Sequence, residues 1–374
     1  MHLPAPSAER RDFIERDPSE RVLVVVFLRG GCDGLTLVPP VADDAYHAAR
    51  PLLAVGKKDT IDLDGYFGLH RDLAPLVRHI EAGAMRIIHG AGSEDDTRSH
   101  FEAQDTMEHG GVDVGSGWLA RYLRARAPSS AALSAVAIGT TRPESLRGAP
   151  AGAVMQTIRD FTIGAGDPRF LDDLARLYAM EPGGLGQAGR ETIAAVRRLR
   201  EIRLRNDPPA AGAVYPATNF GRGLREIARL IKADVGLVAS TIDLDGWDTH
   251  FVQSQLIGGL MQQLGRGIDA FLTDLESERS RVDVIVMTEF GRRLRENSSF
   301  GTDHGAGSIA LLIGEAACAS ASGPVTSGWS DLSPASLDAV GDVPSTIDYR
   351  DLLGPILTAH RPGLDLGRVF PVRR

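Results

Sequence analysis

Residues 21–34 read RVLVVVFLRGGCDG, and this stretch decides the fold. Residues 22–28 are apolar without interruption, which is typical of a strand buried on both faces of a mainly parallel sheet. Two glycines follow at once and permit a sharp turn of the backbone at the strand end. Asp33 then stands at that end as an oxygen ligand or an acid, or as the cap of the next turn.

Similar short apolar runs recur along the chain and alternate with segments of helical periodicity. Further strands are predicted at 85–89, 133–138, 236–242, 282–287 and 309–313. Helices are predicted at 72–82, 118–126, 170–179, 191–205, 220–232, 252–276 and 349–359. This alternation predicts an α/β fold in which helices sandwich a mainly parallel central sheet.

The chain is interpreted as an N-terminal extension, residues 1–20, followed by a single domain, residues 21–374. The stretch 140–217 has mostly helical signals and no clear strand, which predicts an insertion over one edge of the sheet. Residues 184–189, GLGQAG, have the spacing of a dinucleotide-binding loop, but a helix-like segment precedes them where a strand is required. We interpret them as a glycine-rich connection, and 208–212 and 319–334 as surface loops.

The composition of the 374 residues, 43% hydrophobic and 24% charged, is typical of a globular protein. A formal net charge of −8 argues against a nucleic-acid-binding protein, which usually carries a basic face. No apolar run approaches the roughly 20 residues that cross a bilayer, so no membrane span is predicted. Arg10-Arg11 has the form of a twin-arginine signal, but charged residues follow it instead of an apolar region, which predicts a cytoplasmic protein.

Polar residues gather at the ends of the predicted strands, where open α/β sheets bind ligands. Asp248 and His250 follow the strand 236–242, Glu289 follows the strand 282–287, and Asp303-His304 lies between glycines before the strand 309–313. Mixed carboxylate and imidazole ligation suits Zn, Mn or Fe. The alternative for the histidines is an ordinary surface position.

Two further groups are candidates for chemistry. Ser99 could be a nucleophile at a helix N-terminus, activated by His100 or by a metal, or a plain N-cap that forms a capping box with Glu102. Arg292 and Asn297 are candidates for binding an anionic substrate, although arginines in this segment also fit a solvated helix face.

Seven segments in this order resemble the bacterial domain-of-unknown-function family 1501, and the resemblance runs from about residue 21 to the C-terminus. That family is similar to the alkaline phosphatase and sulfatase superfamily, whose members have a mixed, mainly parallel sheet between helices and bind one or two metals at strand ends. The segments are GGCDGL at 30–35, FGLH at 67–70, SHFEAQDTME at 99–108, GWLARYL at 117–123, GWDTH at 246–250, TEFGR at 288–292 and GTDHG at 301–305.

The resemblance implies a role for individual residues. Asp33 matches an aspartate that ligates a metal after the first strand, and Asp248 with His250 looks like the pair that holds the other ion. Asp303-His304 matches the later histidine-bearing loop. The superfamily usually has an Asp-His pair where this chain has Glu289-Phe290, so one histidine ligand is expected to be missing.

The resemblance therefore implies a metal-dependent hydrolase that transfers a phosphoryl or sulfuryl group from a small anionic ester. One or two divalent ions are expected, with Zn, Mn, Mg and Ca not distinguished. Ser99 or a bound water would attack, and His100, His250 or His304 would move protons, with His70 a candidate for substrate binding. The alternatives are a non-catalytic relative that binds a metal, a carbohydrate or a protein, and a metal-free hydrolase, against which the absence of a Gly-x-Ser-x-Gly motif argues.

Overall fold

The computed structural model describes residues 21–112, 114–126, 133–161, 163–164, 167–204, 207–319 and 321–371, so the Arg10-Arg11 motif lies outside it. A nine-stranded sheet runs in the order β10-β4-β9-β8-β1-β7-β5-β6, and β11 also pairs with β4. The strands are β1 Val22–Arg29, β2 Thr60–Asp62, β3 Gly68–His70, β4 Met85–Gly92, β5 Ala135–Ile138, β6 Ala153–Met155, β7 Ala239–Asp245, β8 Val282–Met287, β9 Ser308–Ile313, β10 Val325–Ser327 and β11 Ile347–Asp348.

In the large sheet only β9 runs antiparallel to its neighbours, β4 and β8, among the described strands. The separate pair β2 and β3 is an antiparallel hairpin. The predicted mainly parallel sheet is confirmed. The carboxyl ends of β1, β4, β7 and β8 consequently lie along one edge of the sheet.

The helices fill the connections between strands. The α-helices are α1 Gly34–Leu37, α2 Asp44–Ala49, α3 Val77–Glu81, α4 His100–His109, α5 Trp118–Ala125, α6 Pro168–Met180, α7 Gly184–Leu204, α8 Asn219–Lys232, α9 Gln253–Leu275, α10 Glu315–Cys318, α11 Tyr349–His360 and α12 Leu366–Val369. Short 3-10 helices are Lys57–Asp59, Arg71–Leu76, Glu144–Leu146 and Glu276–Arg281. None of the described helices is both long enough and apolar enough to cross a bilayer.

Strand β1 lies at the centre of the sheet between β7 and β8. Val24 and Val26 pack in one core with residues of α8 and α9, whereas Leu23 and Val25 pack in a second core with residues of α5 and α11. Helices therefore cover both faces, as the uninterrupted apolar run predicts.

Two helix predictions differ from the structure for local reasons. The predicted helix 72–82 divides into the 3-10 helix Arg71–Leu76 and α3, because Pro75 has no N–H group for an α-helical hydrogen bond. The glycine-rich residues 184–189 were wrongly interpreted as a connection, since they form the start of α7. A Cβ added at Gly189 would lie 2.3 Å from the ring of Tyr178, so the glycine allows α6 and α7 to approach closely.

One predicted strand, and two stretches predicted to contain no strand, also differ from the structure. The strand predicted at 236–242 is β7, which begins three residues later and continues to Asp245, where the carboxylate of Asp243 binds Arg29 of β1. The stretch 140–217 does contain a strand, β6, which pairs with β5 as the edge of the sheet. The stretch 319–334 contains β10. The division into an extension, one domain and an insertion stays a prediction.

Candidate functional site

Four segments meet at the carboxyl edge of the sheet. Residues 246–252 follow β7, residues 288–307 connect β8 to β9, residues 93–99 lead from β4 into α4, and Gly30-Gly31 ends β1. The backbone of the first and last of these segments is in close contact. A Cβ added at Gly30, whose φ is +117°, would lie 2.5 Å from the amide nitrogen of Asp248, so only glycine fits there.

The centre of the site is formed by His100, Asp248 and His304, each of which offers one ligand atom within 4.8 Å of the others. The Nε2 atom of His100 and the Nε2 atom of His304 both lie 3.3 Å from Oδ1 of Asp248. These three residues come from α4, from the loop after β7 and from the loop before β9. The sequence separates them by more than 50 residues at the closest, and the fold unites them.

The hydrogen bonds of the two imidazoles define which nitrogen is free. The Nδ1 atom of His100 donates to Oε1 of Glu289 at 2.8 Å, and the Nδ1 atom of His304 donates to the carbonyl oxygen of Arg98 at 2.7 Å. Because Nδ1 carries the proton in each neutral ring, each Nε2 presents a lone pair toward the carboxylate of Asp248. Lone pairs and a carboxylate repel one another unless a cation or a proton lies between them.

His250 repeats this arrangement on the more exposed side. Its Nδ1 atom donates to Oδ1 of Asp303 at 3.1 Å. Its Nε2 atom lies 2.9 Å from Nε2 of His304 and 3.1 Å from Oδ1 of Asp248. We call His100, Asp248, His250 and His304 the histidine cluster.

The donor atoms of the histidine cluster fit a divalent cation. Imidazole nitrogens with one carboxylate oxygen are a ligand set typical of Zn, Mn or Fe sites. The Nε2 atom of His100 is buried and has no hydrogen-bond partner among the described residues, which is rare for a buried polar atom. Each imidazole also donates its other ring hydrogen to an oxygen, the arrangement that orients metal-bound histidines in proteins.

The pKa values agree with a cluster that carries negative charge. Burial opposes ionisation of Asp248, but Arg292, His250 and His100 lower the pKa of its carboxyl group to about 2. Burial also lowers the pKa of His304, which favours the neutral, ligating form. The hydrogen bond to the carboxylate of Glu289 raises the pKa of His100, because the anionic acceptor stabilises the protonated ring.

Arg292 is buried and holds the loops of the site together. Its Nε atom donates to the carbonyl of Gly31 at 2.7 Å, and Nη1 donates to that of Thr302 at 3.0 Å. Its Nη2 atom donates to the carbonyls of Gly30 and Trp247 and to Oδ1 of Asp248. The guanidinium is buried and joins three segments of the chain, and the role of Arg292 in substrate binding stays a prediction.

Glu289 was predicted to ligate a metal. Its carboxylate is buried and contacts His100 from outside the histidine cluster. Its Oε1 atom accepts hydrogen bonds from Gly30 N at 2.9 Å, His100 Nδ1 at 2.8 Å and Gln104 Nε2 at 2.8 Å. Burial alone would raise the pKa of Glu289, but these donors lower it. Glu289 thus orients His100 as an anionic acceptor.

Replacing Glu289 by glutamine should lower the affinity of the cluster for a divalent ion by about 10–100-fold, as loss of an orienting carboxylate does at metal sites. The amide keeps the shape of the side chain but removes the charge that polarises His100. Zinc titration by calorimetry measures this change. Asp269→Asn is a matched control, because Asp269 accepts from Nε2 of His79 at 2.9 Å, outside the cluster. Equal zinc affinity in Glu289→Gln and in the unaltered protein would contradict the role given to Glu289.

Asp303 and Asn297 also form hydrogen bonds to the histidine cluster from outside it. Asp303 accepts from His250 Nδ1 and, at 3.0 Å, from the Nδ2 atom of Asn297. The same Nδ2 atom donates to the carbonyl of His250 at 2.9 Å, and the Asn297 oxygen accepts from the amides of Ser299 and Gly301. In these contacts Asp303 orients His250 and Asn297 fixes the loop. Metal ligation by Asp303 and substrate binding by Asn297 stay predictions.

Asp33 and His70 lie apart from the histidine cluster. Asp33 is 1% exposed and pairs with Arg50, whose two terminal nitrogens lie 2.6 and 3.0 Å from its carboxylate oxygens. The Nδ1 atom of His70 accepts from the amide of Asp72 and caps the 3-10 helix Arg71–Leu76. Asp33 thus has a buried cationic partner and lies outside the histidine cluster, so its role as a metal ligand stays a prediction, and His70 has a capping contact.

Ser99 occupies the N-cap position of α4, as predicted, but its side chain makes no capping hydrogen bond, so no capping box forms with Glu102. Two further residues border the site, although neither was predicted as a site residue. Gln104 lies one helical turn after His100 and could have been found from that i,i+4 spacing. The ring centroid of Phe290 lies 4.8 Å from that of His100 and 4.9 Å from that of His304, so Phe290 packs against both imidazoles.

The family described as protein of unknown function (DUF1501) matches residues 83–331 of the chain, which confirms the predicted family. The segments at 30–35 and 67–70 lie outside the matched residues. No curated protein matches the chain in sequence. Solved structures with a similar fold include alkaline phosphatase from the Antarctic bacterium TAB5, with 12% identity over 80% of this chain and 93% of that chain and a TM-score of 0.30.

Two other similar structures are a lipoteichoic acid synthase from Listeria monocytogenes and a 2-O GAG sulfatase. The synthase is 9% identical over 82% of this chain and 69% of that chain, with a TM-score of 0.31. The sulfatase is 12% identical over 79% of this chain and 65% of that chain, with a TM-score of 0.29. Because each likeness is remote, the site described above stands on the contacts of this chain alone.

Proposed function

The chain belongs to the DUF1501 family of proteins of unknown function, and from this premise and the histidine cluster we propose that it is a metal-dependent hydrolase of phosphate or sulfate esters. The observation that carries the proposal is the convergence of three imidazole Nε2 atoms on one oxygen of Asp248. Each of these nitrogens presents a lone pair, because the Nδ1 atom of each ring is used by an oxygen acceptor.

His100, Asp248 and His304 would hold the ion, and His250 adjoins them. A divalent cation bound there supplies a Lewis acid that polarises an ester oxygen and lowers the pKa of a water molecule. The phosphate or sulfate class of the ester is taken from the motif resemblance. An oxygen of such a group is a hard ligand that suits a divalent cation.

Side chains of the protein provide a general base at this site, and the site is open to solvent. Asp248 is 47% exposed and His250 is 37% exposed, so a substrate can reach both from solvent. Asp303 accepts from Nδ1 of His250 and stabilises the ring when Nε2 takes a proton, which makes His250 the general base of the proposal. Ser99 stays the candidate for a side-chain nucleophile, because it precedes His100 and its hydroxyl makes no capping hydrogen bond.

One observation favours a second function, that of a metal-binding protein without hydrolytic activity. The catalytic serines of hydrolases usually lie within hydrogen-bond reach of a base. Among the described residues, no hydrogen bond joins the hydroxyl of Ser99 to His100 or to another member of the cluster. Without such activation a cation in the cluster would serve binding alone.

Metal analysis combined with turnover of 4-nitrophenyl phosphate and 4-nitrophenyl sulfate separates the two functions. For a hydrolase we expect about one equivalent of divalent metal and hydrolysis that is lost on chelation and recovered on reconstitution. Bound metal without turnover of either ester, or of a broader ester panel, would establish the second function. Failure of the protein to take up metal, even on reconstitution, would refute the first function.

A further inference from the structure

Three of the most exposed apolar side chains of the described residues lie next to members of the histidine cluster. Phe101 is 88% exposed, Phe251 is 60% exposed and Phe300 is 55% exposed. Phe101 follows His100 and Phe251 follows His250 in the chain. Exposed apolar side chains that border a polar site mark an interaction surface.

Backbone contacts place Phe300 beside Phe251. The amide of Val252 donates to the carbonyl of Ser299 at 3.0 Å, and the amide of Gln253 donates to the carbonyl of Phe300 at 2.8 Å. A Cβ added at Gly301 would lie 2.2 Å from the carbonyl carbon of His250, so the two segments touch directly. Phe251 and Phe300 therefore stand on paired backbone segments that both border the cluster.

The backbone that presents these rings is strained. Phe300 has φ of +59° and Val252 has φ of +43°, in the left-handed region that bulky and β-branched residues rarely adopt. Such strain persists only where the surrounding structure fixes it, and it is concentrated at functional sites. Two strained residues in these paired segments thus hold two aromatic rings out of the core and beside the cluster.

We propose that Phe101, Phe251 and Phe300 bind the organic group of the substrate, and that this group is an apolar alkyl or aryl group. The inference rests on the proposed function, which assigns the anionic head of the ester to the histidine cluster. A polar centre with apolar side chains around it matches a ligand with an anionic end and an apolar end. The three phenylalanines are then specificity-determining residues of the same site.

Binding of ethyl-, butyl- and hexylphosphonate tests this inference without any turnover. Calorimetry on the zinc-loaded protein should show that the Kd falls with chain length, by about two- to fourfold for each added methylene that is buried. In the triple variant Phe101→Ser, Phe251→Ser, Phe300→Ser the Kd should become independent of chain length. Phe170→Ser is the matched control, because Phe170 is an exposed phenylalanine of α6, and the dependence should persist in it.

Equal Kd values for the three phosphonates, no binding of any of them, or a dependence on chain length that survives in the triple variant would overturn the inference. Failure of this inference can be distinguished from failure of the proposed hydrolase function. A protein that binds hexylphosphonate more tightly than ethylphosphonate but hydrolyses no ester keeps the apolar subsite and loses the hydrolase. A protein that hydrolyses aryl esters while all three phosphonates bind equally keeps the hydrolase and loses the subsite.

Discussion

Replacing His304 by alanine is expected to lower the affinity of the protein for a divalent ion by more than about 100-fold, and to abolish ester hydrolysis with it. Loss of an orienting partner alone costs about 10–100-fold in metal affinity, and loss of a ligand removes more. The ring of His304 contributes the Nε2 atom between Asp248 and His250, so the cluster loses its central nitrogen. Zinc titration and a 4-nitrophenyl ester assay measure the two effects.

The fold should survive this change, because the His304 side chain is 22% exposed and its Nδ1 atom bonds only to a loop carbonyl, that of Arg98. The matched control is His109→Ala. His109 lies between the carboxylates of Asp105 and Glu144 at a spacing that could also hold an ion, but it is outside the histidine cluster. Metal affinity lost in His109→Ala and kept in His304→Ala would move the metal site to that second group and contradict the proposal.

The main strands and the position of the site could be predicted from the sequence. The runs 22–28 and 282–287 are apolar at almost every position, a pattern typical of a strand covered on both faces. Parallel strands end at one edge, so polar residues after each strand were expected to meet there. Asp248, His250 and His304 do meet, and the prediction that they lie together needed no knowledge of side-chain contacts.

The roles of individual side chains could not be predicted, because each depends on a partner that is distant in sequence. Glu289 and Asp303 looked like ligands, since a carboxylate near a strand end gives the same signal whether it touches an ion or a histidine. Arg292 looked free to bind an anion, yet it donates to carbonyls of two other segments, those of Gly30-Gly31 and Trp247, and to that of Thr302 in its own segment. A sequence shows the charge of a side chain but not whether that charge is already paired.

His100 lies beside Phe290, at the position where the resemblance implies that a histidine is missing. The family comparison implied a missing histidine ligand, because Phe290 stands where a histidine is usual. The structure brings His100 from α4 to the ring of Phe290 and to within 3.3 Å of Asp248. His100 of α4 thus adds an imidazole nitrogen to the cluster, whereas Phe290 after β8 has none. From the sequence, His100 had been predicted only to move protons.

Replacing Asp33 by alanine is expected to lower the free energy of unfolding by about 3–5 kcal/mol, as removal of one partner from a buried ion pair does. Arg50 is fully buried, and the variant leaves its charge without the carboxylate. Burial opposes ionisation of Asp33, but Arg50 and the hydrogen bonds of Thr36 and Gln253 lower its pKa. Its contribution is therefore full at neutral pH and is lost only as the pH falls below the ordinary range of a carboxyl group. Urea denaturation at pH 7 measures the loss.

The same variant decides between the two roles considered for Asp33. If Asp33 is structural, Asp33→Ala should bind zinc as tightly as the unaltered protein at temperatures where it stays folded, because the ligand atoms of His100, Asp248 and His304 are untouched. The double variant Asp33→Leu, Arg50→Met should recover part of the lost stability, since an apolar pair of similar volume replaces buried charges at little cost. Recovery is only partial because Arg50 also donates to the carbonyls of Arg293 and Leu294. An Asp33→Ala protein of unchanged stability that no longer binds zinc would return Asp33 to the metal site.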